Sequence, residues 1–315
     1  MYLVTGGAGF IGSHVVDALV RRGERVRVLD NFSTGDIAYL AGVRARIDLI
    51  EGDLRDMAAV RQAVEGVHFI LHQAALRSVT RSVDDPLSSD AVNTHGTLQL
   101  LVAARDAGTV RRVVYASSSS VYGDSPLLPK VEDQTPAPVS PYAVSKLAAE
   151  HYCRTFTQLY GLETVSLRYF NVFGPRQSPQ SRYATVVPVF LQAALAGESL
   201  IVHGDGEQSR DFTYIDNVVE ANLSACTAPA AAGEVINVAC GERYSLLDML
   251  RTIESLVGHP LRVEHAERRS GDVRHTLASI DKASRLLGYR PRVDFAEGMR
   301  RTYEDFVATH AGPSA

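Results

Sequence analysis

At 315 residues the chain exceeds the usual span of one hydrophobic core, which predicts two domains or one large α/β domain with a smaller partner. Apolar residues make up 45% and charged residues 22%, with 36 acidic and 32 basic side chains interspersed, a balance ordinary for a globular enzyme and unlike a disordered chain or a nucleic-acid-binding surface. Cys153, Cys226 and Cys240 are odd in number and lack metal-ligand spacing, and no apolar run is long enough to span a bilayer, so no disulfide framework, no metal site, no membrane partner and a cytoplasmic location are expected.

In chain order, Leu3-Val4 within Tyr2 to Thr5 predicts a first strand, entered directly from Met1 with no basic leader. Thr5-Gly6-Gly7-Ala8-Gly9-Phe10-Ile11-Gly12 follows at once and sets three glycines at regular spacing on a strand-to-helix turn. Gly6 permits the tight turn, Gly9 lets the backbone approach a pyrophosphate, and Gly12 lets the helix pack closely on the strand. The amphipathic run Ile11 to Arg22 supplies that helix, whose positive N-terminus meets the phosphates, so Gly6, Gly9, Phe10, Ile11 and Gly12 are expected cofactor contacts.

Val26 to Leu29 reads as the next strand and ends in Asp30, beside Asn31. An acid there accepts hydrogen bonds from an adenosine ribose and repels a 2'-phosphate, which predicts NAD rather than NADP; a turn or capping role also suits it. Asp53-Leu54, after another strand-like run, reads equally as an adenine contact or a capping aspartate. His68 to His72 predicts a strand whose end, Gln73-Ala74-Ala75, offers the small side chains that close approach of a cofactor requires. Asn93 to Ala107 places Leu98, Leu101 and Val102 on one helical stripe, and Arg112 to Ala116 is a strand running into the hydroxyl-rich turn Ser117-Ser118-Ser119-Ser120.

Pro141 to Tyr160 reads as a long helix, with Tyr142 and Lys146 four residues apart on one face. A tyrosine titrates near 10, so service as a base near neutrality requires lowering its pKa by roughly three units, worth about 4 kcal/mol. Lys146 and an oxidised nicotinamide would both favour the phenolate. The strand and helix alternation argues a Rossmann-type, doubly wound parallel sheet over residues 1–170. From about Tyr169 the pattern breaks into Pro/Gly-rich and Ser-rich stretches with shorter elements, so residues 171–315 are expected to form mainly a smaller mixed α/β substrate domain, some segments returning to the core.

The segments TGGAGFIGSH, HQAALRSV, SSSSVYGD, SPYAVSK, LRYFNVFGPRQ, HGDGEQSRDFTYIDNV and RSGDVRHT resemble, over nearly the whole chain, the extended short-chain dehydrogenase/reductase family and within it the UDP-hexose 4-epimerases, especially those acting on UDP-N-acetylglucosamine. The resemblance implies that Ser118 is the catalytic hydroxyl, Tyr142 the acid/base and Lys146 its helper, with C4 hydride passing to NAD and returning to the opposite face of a transient 4-keto sugar. It implies Asn171 against the nucleotide diphosphate, Arg210 and Arg269 on the phosphates, Asp272 on the uridine ribose, and Thr276 at the end of the sugar pocket, where its small side chain leaves room for an N-acetyl group. A homodimer through the two long helices is implied as well. Related 4,6-dehydratases carry an acidic pair in the turn that is Ser118 to Ser120 here, while UDP-glucuronate 4-epimerases share the serine turn and the Tyr/Lys pair and stay open as an alternative. A non-catalytic dinucleotide sensor is the alternative from another class; Ser118, Tyr142 and Lys146 together favour an enzyme. His14, Tyr122, Tyr169 and His203 are assigned no chemistry, although Tyr169 is placed to border the nicotinamide.

Overall fold

The computed structural model describes residues 1–179, 185–267 and 273–310. Short β-branched runs in the first half give β1 (Tyr2–Thr5), β2 (Val26–Asp30), β3 (Ile47–Glu51), β4 (Phe69–His72), β5 (Arg112–Ser118) and β6 (Glu163–Tyr169). The second half adds β7 (Val172–Phe173), β8 (Leu200–His203), β9 (Ser209–Arg210), β10 (Thr213–Tyr214), β11 (Val235–Val238), β12 (Tyr244–Ser245) and β13 (Val263–Ala266). Seven of these form one parallel sheet in the order β11-β6-β5-β4-β1-β2-β3. Pairing β7 with β10, β8 with β13 and β9 with β12 makes three small two-stranded sheets.

Because β1 lies between β2 and β4, the strand order reverses there and a crevice opens at the carboxyl ends of β1 and β4. Ligands bind at such reversals. Alternating residues of each buried strand feed two apolar layers. Val4, Val28, Leu71, Val114 and Val165 face one layer, which α1 (Phe10–Arg21) covers. Leu3, Leu29, Ile70 and Val113 face the other, covered by α2 (Met57–Val64) and, beyond the short α3 (Val79–Asp84) and α4 (Pro86–Asp90), by α5 (Thr97–Ala107) and α6 (Pro141–Tyr160).

The second half contributes α7 (Val186–Ala196), α8 (Ile215–Thr227), α9 (Leu246–Val257), α10 (Asp281–Leu287) and α11 (Phe295–His310). Its apolar residues, Leu191, Val202, Val218, Met249 and Phe306 among them, belong to the same cluster as Val4 and Val114, so both halves share one core. The strand β11 extends this sharing into the sheet, pairing with β6 from Val235 opposite Ser166 to Val238 opposite Tyr169.

The local signals for α6 act at both ends. Ser140 caps it by accepting from the Ala143 amide, Pro141 occupies the first turn, where no amide partner is required, and Gly161 ends it at φ 68°. In α5 the buried stripe is Leu100, Leu101, Ala103 and Ala104, whereas Leu98 and Val102 are partly buried at its margin. The stripe sits a little off the one read from sequence because α5 packs between α2 and α6 rather than on one surface. A π-helical stretch, Ala91–Gly96, joins α4 to α5.

Candidate active site

The glycine turn is built by exclusion. At Gly6, where φ is 67°, an added Cβ would lie 2.7 Å from both the Cα and the N of Ala74. At Gly12 it would lie 2.0 Å from the Gly6 carbonyl oxygen. Larger residues would therefore push α1 off the strand or close the gap between β1 and the segment after β4. Gly9 donates its amide to the Gly6 carbonyl at 3.1 Å, which turns the start of α1 towards the crevice. No acidic side chain occupies the first turn of α1, so its positive end is left for an anion.

Asp30 closes the turn from below: Oδ2 accepts from the Ala8 amide and Oδ1 from the Phe32 amide, each at 2.8 Å. Carboxylate oxygens each accept twice, so Asp30 shapes the loop and keeps lone pairs for ribose hydroxyls. Asp53 is not the cap of α2; that role falls to Asp56, which accepts from the Ala58 amide. Instead Asp53 accepts from Arg55 and from the Asn31 amide group at 2.7 Å, and these contacts hold its carboxyl well below the usual range.

The floor of the crevice is fixed by two buried networks. Thr97 donates its hydroxyl to the Asn93 carbonyl at 2.6 Å, so it can only accept from His72 Nε2; His72 Nδ1 then accepts from the Thr5 hydroxyl at 2.7 Å. His72 is thereby neutral, and burial first, then the Lys146 charge, pushes it down to about 3. Asn93, in the π-helical stretch, accepts from the Leu76 amide, donates to the Leu76 carbonyl and donates to the Ser145 hydroxyl. This holds Ala74 and Ala75 against the glycine turn and ties them to α6.

Where β5 ends, Ser118 caps the following turn by accepting from the Ser120 amide at 3.2 Å. On α6, Tyr142 and Lys146 share a face, with the Lys146 Nζ 5.9 Å from the Tyr142 ring centre. Lys146 is buried and donates to the Ala116 carbonyl at 2.8 Å; burial pushes it down to about 7, against the pull of Glu150. For Tyr142 the outcome differs from the sequence expectation of a lowered phenol. Burial raises it, while a hydrogen bond with Ser118 and the charge of Arg77 act in the opposite sense. Desolvation of the phenolate outweighs the Ser118 hydrogen bond and the Arg77 charge there.

One continuous cavity of about 810 Å³ joins these parts. Its lining takes Gly6, Gly9, Phe10, Ile11, Gly12, Asp30, Asn31, Asp53, Leu54, Ala74 and Ala75 from the glycine turn and the ends of the first strands, Ser118, Tyr142 and Lys146 from the end of β5 and from α6, and Asn171, Arg210 and Thr276 from the second half. Asn171 donates to the Asp211 carbonyl and to the Thr276 hydroxyl, each at 3.2 Å, so Thr276 is tied into the wall. Arg210 is braced on the Ser209 and Arg274 carbonyls at 3.0 Å. Arg269 and Asp272 lie outside the described residues. Tyr169 also lines the cavity, while His14 and His203 bond the carbonyls of Pro175 and Glu267.

Two residues that act on Tyr142 and Lys146 escape sequence reasoning. Arg77 lines the cavity and its charge reaches Tyr142; its place in HQAALRSV, after the small residues, was the available signal. Glu150, one turn beyond Lys146, is buried against Arg168, and only the turn spacing along α6 hinted at it. Among the described residues no group of three or more His, Cys, Asp or Glu side chains could hold a metal ion, and no helix is long and apolar enough to cross a membrane.

The close glycine cradle, the helix N-terminus and Asp30 fit a dinucleotide. Comparison with known proteins agrees. The model of the NAD dependent epimerase/dehydratase family matches residues 2–239. A UDP-glucose 4-epimerase of Mycolicibacterium smegmatis is 40% identical, over 96% of this chain and 97% of the relative. Among solved structures, a UDP-N-acetylglucosamine 4-epimerase from Methanobrevibacter ruminantium, in complex with UDP-N-acetylmuramic acid, superposes with a TM-score of 0.93 at 38% identity, covering 98% of both chains. A UDP-glucuronic acid 4-epimerase from Bacillus cereus, in complex with UDP-glucuronic acid and NAD, superposes with a TM-score of 0.91 at 32% identity, covering 98% of this chain and 99% of the other. Match, fold and site together make the chain a member of the NAD dependent epimerase/dehydratase family, the extended branch of the short-chain dehydrogenases/reductases.

Proposed function

We propose that the chain interconverts the C4 epimers of a UDP-hexose or UDP-N-acetylhexosamine, using NAD and a transient 4-keto sugar. The observation that carries this is one cavity lined together by the dinucleotide cradle, by Ser118, Tyr142 and Lys146, and by Asn171, Arg210 and Thr276. NAD, when bound, supplies a reversible hydride acceptor and the positive charge of its nicotinamide ring. The Ser118 hydroxyl orients the sugar 4-OH towards Tyr142, which takes its proton as a phenolate and later returns it. Lys146, braced on the Ala116 carbonyl, stabilises the phenolate. The residues of the turn from Ser118 to Ser120 carry hydroxyls and no acid, which disfavours water elimination from the ketone.

The residues expected to hold the uridine diphosphate are Asn171, Arg210, Arg269 and Asp272, since a guanidinium fork suits phosphate oxygens and an aspartate suits paired ribose hydroxyls. On this reading residues 1–170 mainly bind the cofactor and residues 171–315 mainly the UDP-sugar. A homodimer is the assembly favoured by Val144, Leu159 and Tyr160 on α6, each at least half exposed, and a reducing cytoplasm suits three free thiols. The test incubates purified protein separately with UDP-N-acetylglucosamine, UDP-glucose and UDP-glucuronate and resolves the products by chromatography. A C4 epimer mixture from either of the first two is expected; conversion of UDP-glucuronate alone establishes the uronate alternative, and conversion of none, with NAD released on denaturation, favours a dinucleotide sensor.

A further inference from the structure

Beneath Ser118, Tyr142 and Lys146 lies a buried ion pair that the proposed chemistry does not use. Glu150 stands one helical turn beyond Lys146 and two beyond Tyr142, so the three share the face of α6 that presses on β5 and β6. Its Oε1 accepts from Arg168 Nε at 2.9 Å and its Oε2 from Nη2 at 2.8 Å, while the Ser117 hydroxyl also donates to Oε1. The Arg168 and Glu150 side chains are only 4% and 3% exposed. The guanidinium is further fixed over the Tyr122 ring, 4.7 Å from its centre.

A pair buried this deeply contributes little to stability compared with apolar residues, because desolvation offsets the attraction. Its neighbourhood gives another reason for it. Lys146 is faced by Tyr142, Glu150 and Cys153 from its own helix, by the Tyr115 ring from β5 at 5.0 Å, and by neutral His72 from β4; Arg168 stands behind Glu150 on β6, and Arg77 acts on Tyr142 from the segment after β4. Glu150 is the one carboxyl in this set, set between two buried cations. The Ser117 that it holds directly follows Ala116, whose carbonyl receives the Lys146 ammonium, and precedes Ser118.

We propose that the Glu150–Arg168 pair is a positioning element for Lys146: Glu150 supplies the anion that keeps the lysine charged, Arg168 tempers that pull, and Ser117 transmits the anchorage to the strand end carrying Ala116 and Ser118. This rests on the reading of Lys146 as the charged partner of Tyr142. Burial lowers Lys146 and the Glu150 carboxylate raises it, so its charge depends on that carboxylate, which Arg168 holds through both oxygens. The signs differ. Losing the Glu150 charge favours neutral lysine, whereas losing the Arg168 charge leaves Glu150 unopposed and favours the ammonium.

The test measures turnover against pH in the wild type, Glu150→Gln, Arg168→Gln, the double variant and Glu150→Asp. It also measures ionisation of Tyr142 by near-UV tyrosinate absorbance, taken as the difference from the same protein carrying Tyr142→Phe. The alkaline limb of activity should move down by about one pH unit in Glu150→Gln and up by about as much in Arg168→Gln, with the double variant close to wild type. Glu150→Asp keeps the charge, so it should keep the limb even where the melting temperature falls. Shifts of the same sign, or activity that follows melting temperature alone with an unmoved limb, would overturn the proposal. Should Glu150→Gln not fold, an unmoved limb and unmoved Tyr142 titration in Arg168→Gln would overturn it equally. Tyrosine ionisation needs no sugar, so a wild type that turns over no UDP-sugar would sink the functional reading while the titrations still decide this one.

Discussion

Replacing Gly12 by alanine tests the cofactor cradle at its tightest point. The new methyl would sit 2.0 Å from the Gly6 carbonyl oxygen and 2.8 Å from the Gly7 Cα, both backbone atoms that no rotamer change can move. Comfortable contact between such atoms is about 3.5 Å, so α1 must retreat from the turn by roughly 1 Å or more. Overpacking against backbone belongs at the upper end of the usual cost, about 3 kcal/mol, which in a chain of this size lowers the melting temperature by roughly 4–5 °C. The amides at the start of α1 retreat with the helix, and a loss of about 1.4 kcal/mol there weakens dinucleotide binding tenfold. Calorimetric titration with NAD and thermal melting measure both effects. Gly42→Ala, where a Cβ meets nothing within 4 Å, serves as the control. Wild-type NAD affinity in Gly12→Ala would refute the reasoning, because the helix N-terminus would then not be held by that contact.

His72 gives a pH prediction. Folded, it is held down to about 3, whereas its ordinary value is 6.5, so below that ordinary value the unfolded chain binds a proton that the folded chain refuses. Its contribution is complete above that ordinary value and declines as pH falls towards the folded value, by about 1.4 kcal/mol per unit. Urea midpoints measured through that window should flatten in His72→Gln, and an identical slope in the variant would contradict this. Tyr142→Phe and Ser118→Ala should each cut turnover by about 10²-fold or more while leaving NAD affinity within a few-fold, checked by steady-state assay and titration. Thr276→Tyr should depress turnover of UDP-N-acetylglucosamine more than that of UDP-glucose, since it fills the wall where the acetyl group is expected; equal turnover of both would sink that assignment.

The parts of the fold visible in the sequence are those set by local spacing. Three glycines after a β-branched run announce β1, the turn and α1, and Ser140, Pro141 and Gly161 mark both ends of α6 without reference to the rest of the chain. Non-local pairing was less visible. Nothing in Val235–Val238 itself says that it adds a seventh strand beside β6, because that is decided by β6 having a free edge. The site divides the same way. Tyr142 and Lys146 were legible because their spacing is a helical turn, whereas the coupling of Glu150 to Arg168 depends on α6 lying over β6. The direct bonding of Asp30 to the Ala8 and Phe32 amides was equally hidden, since backbone donors leave no mark in side-chain identity.

The central claim is oxidation and re-reduction at C4, and a label at that carbon tests it most directly. UDP-glucose or UDP-N-acetylglucosamine deuterated at C4 is converted in ordinary water and the product epimer analysed by mass and NMR. The account predicts that deuterium stays at C4 with inverted configuration and that no solvent hydrogen enters the ring. Loss of the label to water, or inversion at another carbon, would contradict it.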